Sequence, residues 1–387
     1  MKILIATPFF PPEVGGIASH VYNIARRLSK KHELIVAKND HEYGTMMKDG
    51  ITVVRILSKD LPRYPYQTLS SFRIPILTRE LRRIIKNEKV DIIHSHGHHY
   101  PLTWLSIFYA KKCRAPTALT LHGMYALNPY VFGGQTLPEE VFNRTWLRTL
   151  LKRSDSIISL SRSIMNYVKR YGPKEAKYYV IPNGVDVNLY SKNLHRKMEY
   201  RAKHGLPQDK RVVLFRARFA HVKSVLESAY AVKSIAKSRQ DIFCLFVGDG
   251  PLKHAVKEIL SQTKNVRVLG WMPAEILHEL YIASDIYLLP SKWEALPITL
   301  IEAMAARLRI VSTPVGGIPD VLEGYPLKVI INDSKPSTIF EALYKVCDDY
   351  DYDLKIVSEI EDYVKQFDWN VIASRVEHVY NEIAIPE

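Results

Sequence analysis

The sequence predicts two doubly wound α/β domains, and three observations carry that expectation. The chain has 387 residues, more than the roughly 150 to 200 that one core ordinarily serves. Short apolar runs of strand length alternate with segments of helical periodicity, the βα pattern of a parallel sheet. The pattern occurs twice, on either side of the polar, β-poor stretch SKNLHRKMEYRAKHGLPQDK at 191–210, so the connection between domains is expected at 187–195. In such sheets ligands gather at the carboxyl ends of the strands and in the cleft between halves.

In the first half, KILIATP (2–8) reads as a buried strand. PFFPPEVGG cannot continue it, because three prolines and the pair Gly15-Gly16 break helix and central strand alike. Ile17, Val21, Ile24, Ala25 and Leu28 then recur at helical spacing, and Arg26, Arg27, Lys30 and Lys31 follow at the end that the helix dipole favours for cations. Further strands are predicted at ELIVAK (33–38), ITVVRIL (51–57), VDIIHSH (90–96), TALTLHG (117–123), SDSIISLS (154–161) and YYVIPNGVD (178–186). The second half repeats the scheme with RVVLFRAR (211–218), IFCLFVGDG (242–250), VRVLG (266–270), IYLLPS (286–291) and RIVSTP (309–314), separated by helical segments such as AVKEILSQ and EILHELYIAS. No internal repeat or low-complexity tract interrupts either set.

Composition narrows the function classes. A hydrophobic fraction of 47% and a charged fraction of 24% are those of a globular chain. The longest apolar stretch, PLTWLSIFYA, is about half of what a bilayer span needs, and the proline-broken start does not resemble a leader, so a cytoplasmic protein is expected. Cys113, Cys244 and Cys347 are too few and too far apart for a disulfide framework or a thiolate metal site. The net charge of +14 is confined to one half: residues 1–187 hold 28 Lys and Arg against 14 Asp and Glu, whereas residues 188–387 hold 26 of each. The first domain is therefore expected to face something anionic: a membrane surface, a phosphorylated acceptor or nucleic acid.

The candidate chemistry centres on SKWEALPITLIEAM, 291–304. Here IYLLPS is the strand, SKWEA its exit loop, and Pro297 suits the first turn of the helix that follows. Glu294 falls in the loop at the positive end of that helix and Glu302 inside it. Along a continuous helix the two acids would point only about 80° apart. The amides of Ala295, Leu296, Pro297's neighbours and Ile298 make a phosphate site of the helix tip, while carboxylates accept paired hydrogen bonds from vicinal hydroxyls. The combination suits a ligand that is part sugar and part phosphate. Arg218, read as the end of RVVLFRAR, and Lys223 could clamp a diphosphate from a neighbouring strand. Gly15-Gly16 supplies a second close-approach loop before a helix start in the first domain. Nothing in the sequence suggests a covalent nucleophile paired with a base.

In their order, PPEVGGIASH, DIIHSHG, LTLHG, VIPNGVD, RARFAHVKS, FVGDGPLK, VLGWMP, EALPITLIE followed by EAMA, and TPVGGIPDVL resemble the family-four retaining glycosyltransferases over nearly the whole chain. The resemblance implies the GT-B fold: two Rossmann-like doubly wound domains facing a central cleft, with an acceptor domain at 1–187 and a nucleotide-sugar donor domain at 188–367. FDWNVIASRVEHVYNEI is similar to the family's last helix, which implies that 368–387 pack back on the first domain. It further implies that Arg218 and Lys223 hold the donor diphosphate, that Glu294 meets the transferred sugar's hydroxyls and that Glu302 meets the ribose. Backbone groups of Ala295, Leu296, Pro297 and Ile298 contact sugar and diphosphate, Met272 lies where the base is read, Gly16 lets the first domain approach the phosphates, and His122 lines the reaction centre. The chain departs from the family in having Ala217 and Ser224 where glycines are common, and Arg307 and Arg309 where a glycine and a proline are frequent; the two arginines are expected to face solvent.

The run HSHGHH raises a metal question, because His94 and His96 alternate along a strand and could share a face. With no acidic or thiolate ligand nearby to complete a set, no metal site is expected, and His94, His96, His98, His99 and His122 read as a polar cleft edge. The resulting expectation is a retaining hexosyltransferase that needs no metal, takes a UDP- or GDP-linked sugar, and serves a glycan or lipid-linked, anionic acceptor at the cytoplasmic face of the membrane. The rival readings are another GT-B enzyme, such as a nucleotide-sugar epimerase or a sugar-phosphate phosphorylase, and a nucleic-acid binder. The last lacks the interleaved aromatic and basic stretches of single-strand platforms, so no nucleic-acid partner is expected.

Overall fold

The computed structural model describes residues 1–60, 73–76, 78–123, 137–348 and 354–384. It divides into two compact units, Met1–Asn183 with Trp369–Glu387, and Gly184–Asp368. The divisions at 183/184 and 368/369 lie within a few residues of the expected 187/188 and 367/368.

In unit 1 the strands are β1 (Lys2–Thr7), β2 (Glu33–Asp40), β3 (Gly44–Lys48), β4 (Ile51–Asp60), β5 (Arg73–Pro75), β6 (Ile92–His96), β7 (Thr117–Leu121), β8 (Ser156–Ser159) and β9 (Lys177–Val180). They run in the order β3-β4-β2-β1-β6-β7-β8-β9, with β5 beside β4. All pairings are parallel except the antiparallel β3 and β5 on β4. The register sets Leu4 opposite Ile93, and alternation then decides which layer each side chain enters. Ile3, Ile5 and Val36 pack on one face against Val21, Ile24, Trp369, Ile372 and Val376. Leu4, Ile35, Ala37 and Ile93 pack on the other against Leu81, Ile85 and Leu102. The closing helix Trp369–Ala384 is thus part of this unit's core.

Unit 2 holds β10 (Arg211–Arg216), β11 (Ile242–Val247), β12 (Val266–Leu269), β13 (Ile286–Leu289), β14 (Arg309–Ser312) and β15 (Lys328–Ile330), all parallel, in the order β12-β11-β10-β13-β14-β15. Val213, Phe215 and Phe246 bury one face against Val232, Ile235 and Leu343; each such side chain contributes roughly 1.5–3 kcal/mol when fully buried.

Every strand expected from an apolar run is present, though several are shorter than expected. β6 begins at Ile92 and not Val90, β7 ends at Leu121 and β10 at Arg216, so His122 and Arg218 both stand beyond their strands. Three further strands, β3, β5 and β15, are edge or three-residue pieces with exposed positions. No helix among the described residues is long and apolar enough to cross a membrane.

Candidate active site

Both sheets have a point where strand order reverses direction, between β1 and β6 and between β10 and β13. Connections from the two strands leave in opposite directions there, opening a crevice at the carboxyl edge where ligands bind in such folds. Most of the candidate residues follow the strands at or beside this point; Met272 instead follows β12 at the sheet's edge.

In unit 2, Glu294 follows β13 in its exit loop and is 6% exposed. A carboxylate so buried must be paired. Its Oε1 accepts from Lys223 Nζ at 2.6 Å and from Ser291 Oγ at 2.8 Å. Lys223 comes from the 3-10 turn His221–Lys223 after β10, so the reversal of strand order joins the two. The loop is held from below by the TPVGGIP turn. Gly316 has φ 59°, a Cβ there would lie 1.6 Å from the Glu294 carbonyl oxygen, and the Gly317 amide donates to the Ala295 carbonyl at 2.9 Å. A side chain at Gly316 is therefore excluded by both conformation and space.

The helix Ile298–Ala305 has Pro297 as its N-cap at φ −75°, one position before the first turn where the sequence reading put it, since its extended ψ leads into the helix without joining it. Leu296 and Pro297 are buried, Ala295 and Ile298 half-buried, and the first amides of any helix lack acceptors within it. Glu302, one turn on, pairs with Arg216 Nη1 at 2.5 Å. The same guanidinium donates to Tyr281 Oη at 3.4 Å, and the Arg216 carbonyl accepts from Tyr287 Oη at 3.0 Å. Burial disfavours the Arg216 cation, and the Glu302 carboxylate together with Tyr281 and Tyr287 more than offsets this. Sequence reasoning missed Arg216: the strand ends there, and Arg218 is an exposed residue of the following loop. Residues 216 and 218 share a strand face by period, so only the strand's end decides between them. Met272 is half-buried in the loop between β12 and the helix Ala274–Ala283.

The departures from the family pattern have a physical footprint. Ser224 has φ 51° and Arg307 φ 58°, so at both places the chain keeps a glycine-type conformation with a larger residue. Contrary to expectation, neither nearby arginine faces solvent freely: Arg307 pairs with Glu361 and Arg309 is 9% exposed.

In unit 1, Gly16 opens the helix Gly16–Leu28 with Gly15 as N-cap. No described residue lies within 4 Å of where a Cβ would stand at Gly15 or Gly16, so nothing described in the chain itself demands glycine there. His122 stands just after β7, half-buried, and its Nε2 is 3.0 Å from His96 Nδ1 at the end of β6. His94 and His96 do share a face, with ring centroids 4.1 Å apart. His94 is fully engaged, Nδ1 with Tyr380 Oη at 2.6 Å and Nε2 with Thr120 Oγ1 at 2.7 Å. His20, which sequence reasoning passed over, completes the group: its ring centroid is 4.8 Å from that of His122. Its signal was its place at i+3 from Ile17 and i−4 from Ile24, on the helix's apolar face. Burial pushes His20 down to about 4 and His94 to about 3, and holds His96 and His122 well below the usual imidazole range. The cluster is neutral at physiological pH.

Residues 14–189 match Glycosyltransferase Family 4 and residues 196–363 match Glycosyl transferases group 1. The chain is a family-four glycosyltransferase. Over 99% of its length it is 25% identical to a component of the human phosphatidylinositol N-acetylglucosaminyltransferase, and it covers 76% of that relative. Its fold is GT-B, built of two Rossmann-like domains. Sucrose-phosphate synthase of Thermosynechococcus elongatus is similar with a TM-score of 0.75 at 17% identity, 99% of each chain being covered. HepE of Anabaena in complex with UDP gives 0.74 at 19%, covering 99% of this chain and 100% of that one; HepE is also known with UDP-glucose. The glycosyltransferase's two matched stretches adjoin between 189 and 196, close to the start of unit 2 at Gly184.

Proposed function

We propose that this glycosyltransferase is a retaining hexosyltransferase that takes its sugar from a UDP-linked donor held by unit 2 and passes it to a lipid-linked acceptor received by unit 1 at an anionic membrane face. The observation that carries the donor assignment is the Lys223–Glu294 pair at 2.6 Å, seated at the strand-order reversal beside the start of the helix Ile298–Ala305. Without ligand the two charges hold one another. With donor, Lys223 turns to the diphosphate and Glu294 to the sugar hydroxyls. Arg218 and the first helix amides share the phosphate charge, Glu302 takes the ribose hydroxyls, and Met272 lies against the base.

Cleavage of the anomeric C–O bond leaves negative charge on the departing diphosphate, which a fixed cation and helix amides stabilise without needing to reorganise. The acceptor hydroxyl oxygen bonds to the anomeric carbon from the face that the diphosphate leaves, and its proton passes to the diphosphate oxygen. The anomeric configuration is kept and no covalent enzyme intermediate forms. In unit 1, Gly16 leaves room for phosphate before a helix start, and the neutral imidazole of His122 is a hydrogen-bond partner for sugar or acceptor oxygens.

Support for UDP and for a lipid acceptor comes from the relatives: HepE binds UDP and UDP-glucose, and the human relative is named for transfer to phosphatidylinositol. The surface of unit 1 adds to this. On the helix Thr78–Asn87, Leu81 and Ile85 point inward while Arg79, Arg82, Arg83 and Lys86 are exposed. Ile74 and Ile76 are 41% and 56% exposed just before it, and Tyr43 Oη donates to Glu80 at 3.1 Å; Met46 and Met47 of β3 are exposed as well. Cations beside apolar side chains suit an anionic lipid surface.

Thermal denaturation with UDP-, GDP- and ADP-sugars tests the donor. A UDP-sugar at about 100 times its Kd should add about 2.7 kcal/mol of stability, and Lys223→Ala should remove the shift. If no nucleotide sugar raises the melting temperature, the donor reading is wrong. The anomeric proton coupling in the product reports retention or inversion. Flotation with anionic vesicles, expected to fail in 1 M salt where the Debye length is only about 3 Å, tests the membrane face; equal recovery with neutral vesicles would refute it.

A further inference from the structure

We propose that unit 1 carries a binding site for a divalent transition-metal ion of the zinc class, held by one ring nitrogen each from His20, His96 and His122. The site shares His122 with the transferase reading proposed above, and cobalt(II) binding tests it separately from donor binding.

The three rings come from three elements that meet where the strand order of unit 1 reverses: the helix Gly16–Leu28, the last residue of β6 and the residue after β7. One potential ligand atom from each lies within 4.8 Å of the others. His96 Nδ1 and His122 Nε2 are 3.0 Å apart. Two ligands of a tetrahedral zinc, each at 2.0–2.1 Å from the ion, are separated by about 3.3 Å. The pair therefore already has the spacing of one edge of a coordination tetrahedron. His20 needs to move its nitrogen inward by about 1.5 Å to complete a face, within reach of a turn of its ring.

Orientation of the third ligand is set from behind. His20 Nδ1–H donates to Asn183 Oδ1 at 2.9 Å, which fixes the proton on Nδ1 and leaves Nε2 as a lone pair. A histidine ligand usually has this kind of partner on its far nitrogen. A second observation points to a missing partner. His96 Nε2 is buried in a side chain that is 0% exposed and has no hydrogen-bond partner among the described residues. With Nδ1 aimed at His122, the ring has no partner that fixes its tautomer from behind, so nothing described holds the proton on Nδ1 and that nitrogen can serve as a lone pair. His94 lies beside this group but both its nitrogens are taken by Tyr380 and Thr120, which limits the set to three. The half-buried His122 leaves a side from which an ion and a fourth, solvent-derived ligand can enter. Three imidazoles suit zinc, cobalt, nickel or copper and not magnesium or calcium.

Cobalt(II) is the probe. The full-length protein, stripped with chelator, is titrated with cobalt(II) and followed by visible absorption. We expect ligand-field bands of a four-coordinate nitrogen site that saturate at one equivalent and are displaced by zinc. His20→Ala, His96→Gln and His122→Ala should each weaken cobalt(II) binding at least 100-fold. Asn183→Ala, which only frees the His20 ring, should weaken it by about 10- to 100-fold. His254→Ala, exposed in unit 2, should change nothing. His20 and His96 are packed in the core and their variants can misfold, so circular dichroism accompanies each titration and His122→Ala decides. Absence of saturable binding in the wild type, or unchanged bands in a folded His122→Ala, overturns the proposal.

Discussion

The two reversal points of this molecule sit at equivalent places in two similar sheets and keep their polar groups in opposite ways. In unit 1 the carboxyl edge is lined with imidazoles that burial holds neutral, joined by hydrogen bonds such as His94 to Tyr380 at 2.6 Å. In unit 2 it is lined with full charges that survive burial because each has a counter-charge: Lys223 with Glu294, Arg216 with Glu302. The same topology thus tolerates either solution. A ligand with its own charge is better served by the second, since it enters by exchange with a charge already in place and does not have to create one in an apolar setting.

The largest expected effect comes from breaking the charge pairing of unit 2 at its most buried point. Asp285, 3% exposed, takes Arg201, Lys197 and the Val212 amide at 2.7 Å. Asp285→Ala strands two cations and should cost about 4 kcal/mol, read from denaturant unfolding of unit 2. The pH dependence sharpens this. Burial alone would raise the Asp285 carboxyl, but Lys197 and Arg201 pull it below its ordinary 3.8. A folded-state value depressed in this way gives stability that is complete above the unfolded value and lost as pH falls through the folded one. The wild type should therefore lose stability steeply below about pH 4, and Asp285→Ala less so.

Next is Gly316→Ala. A methyl group 1.6 Å from the Glu294 carbonyl oxygen must displace the acidic loop, at about 2–3 kcal/mol, with loss of the melting-temperature shift caused by donor. For unit 1 the corresponding change is smaller. Tyr380→Phe leaves His94 Nδ1 without its donor or acceptor and should cost about 1–2 kcal/mol by thermal unfolding; a cost equal to that of Asp285→Ala would erase the distinction between a neutral network and a buried charge pair. Smallest and of opposite sign is Ser224→Gly. It relieves a left-handed residue at φ 51° and should stabilise unit 2 by about 1 kcal/mol. A destabilised variant would show that Ser224 is held by more than its backbone.

How much of this could be read in advance follows burial. Parallel strands covered on both faces are apolar runs, so β1, β6, β7, β10, β11 and β13 were legible, whereas β3, with the exposed GTMMK, carries no such mark. The acidic pair was legible because a loop, a proline and a helical period fix where Glu294 and Glu302 go. Which cation meets Glu302 was not, because Arg216 and Arg218 differ only in which side of a strand's end they stand. His20 was hidden for the opposite reason. It occupies an apolar position of an amphipathic helix, and only the arrival of His96 at the end of β6 and His122 just past β7, 76 and 102 residues later in the sequence, gives that position a chemical meaning.

The closing helix has a consequence for how the protein is made. Trp369, Ile372, Val376 and Tyr380 are core residues of unit 1, yet a ribosome synthesises them after everything in unit 2. The second unit can complete itself during translation, while the first must wait, with a hydrophobic face uncovered, until the helix Trp369–Ala384 has been made. A chain cut before Trp369 would be left with a finished second unit and an unfinished first.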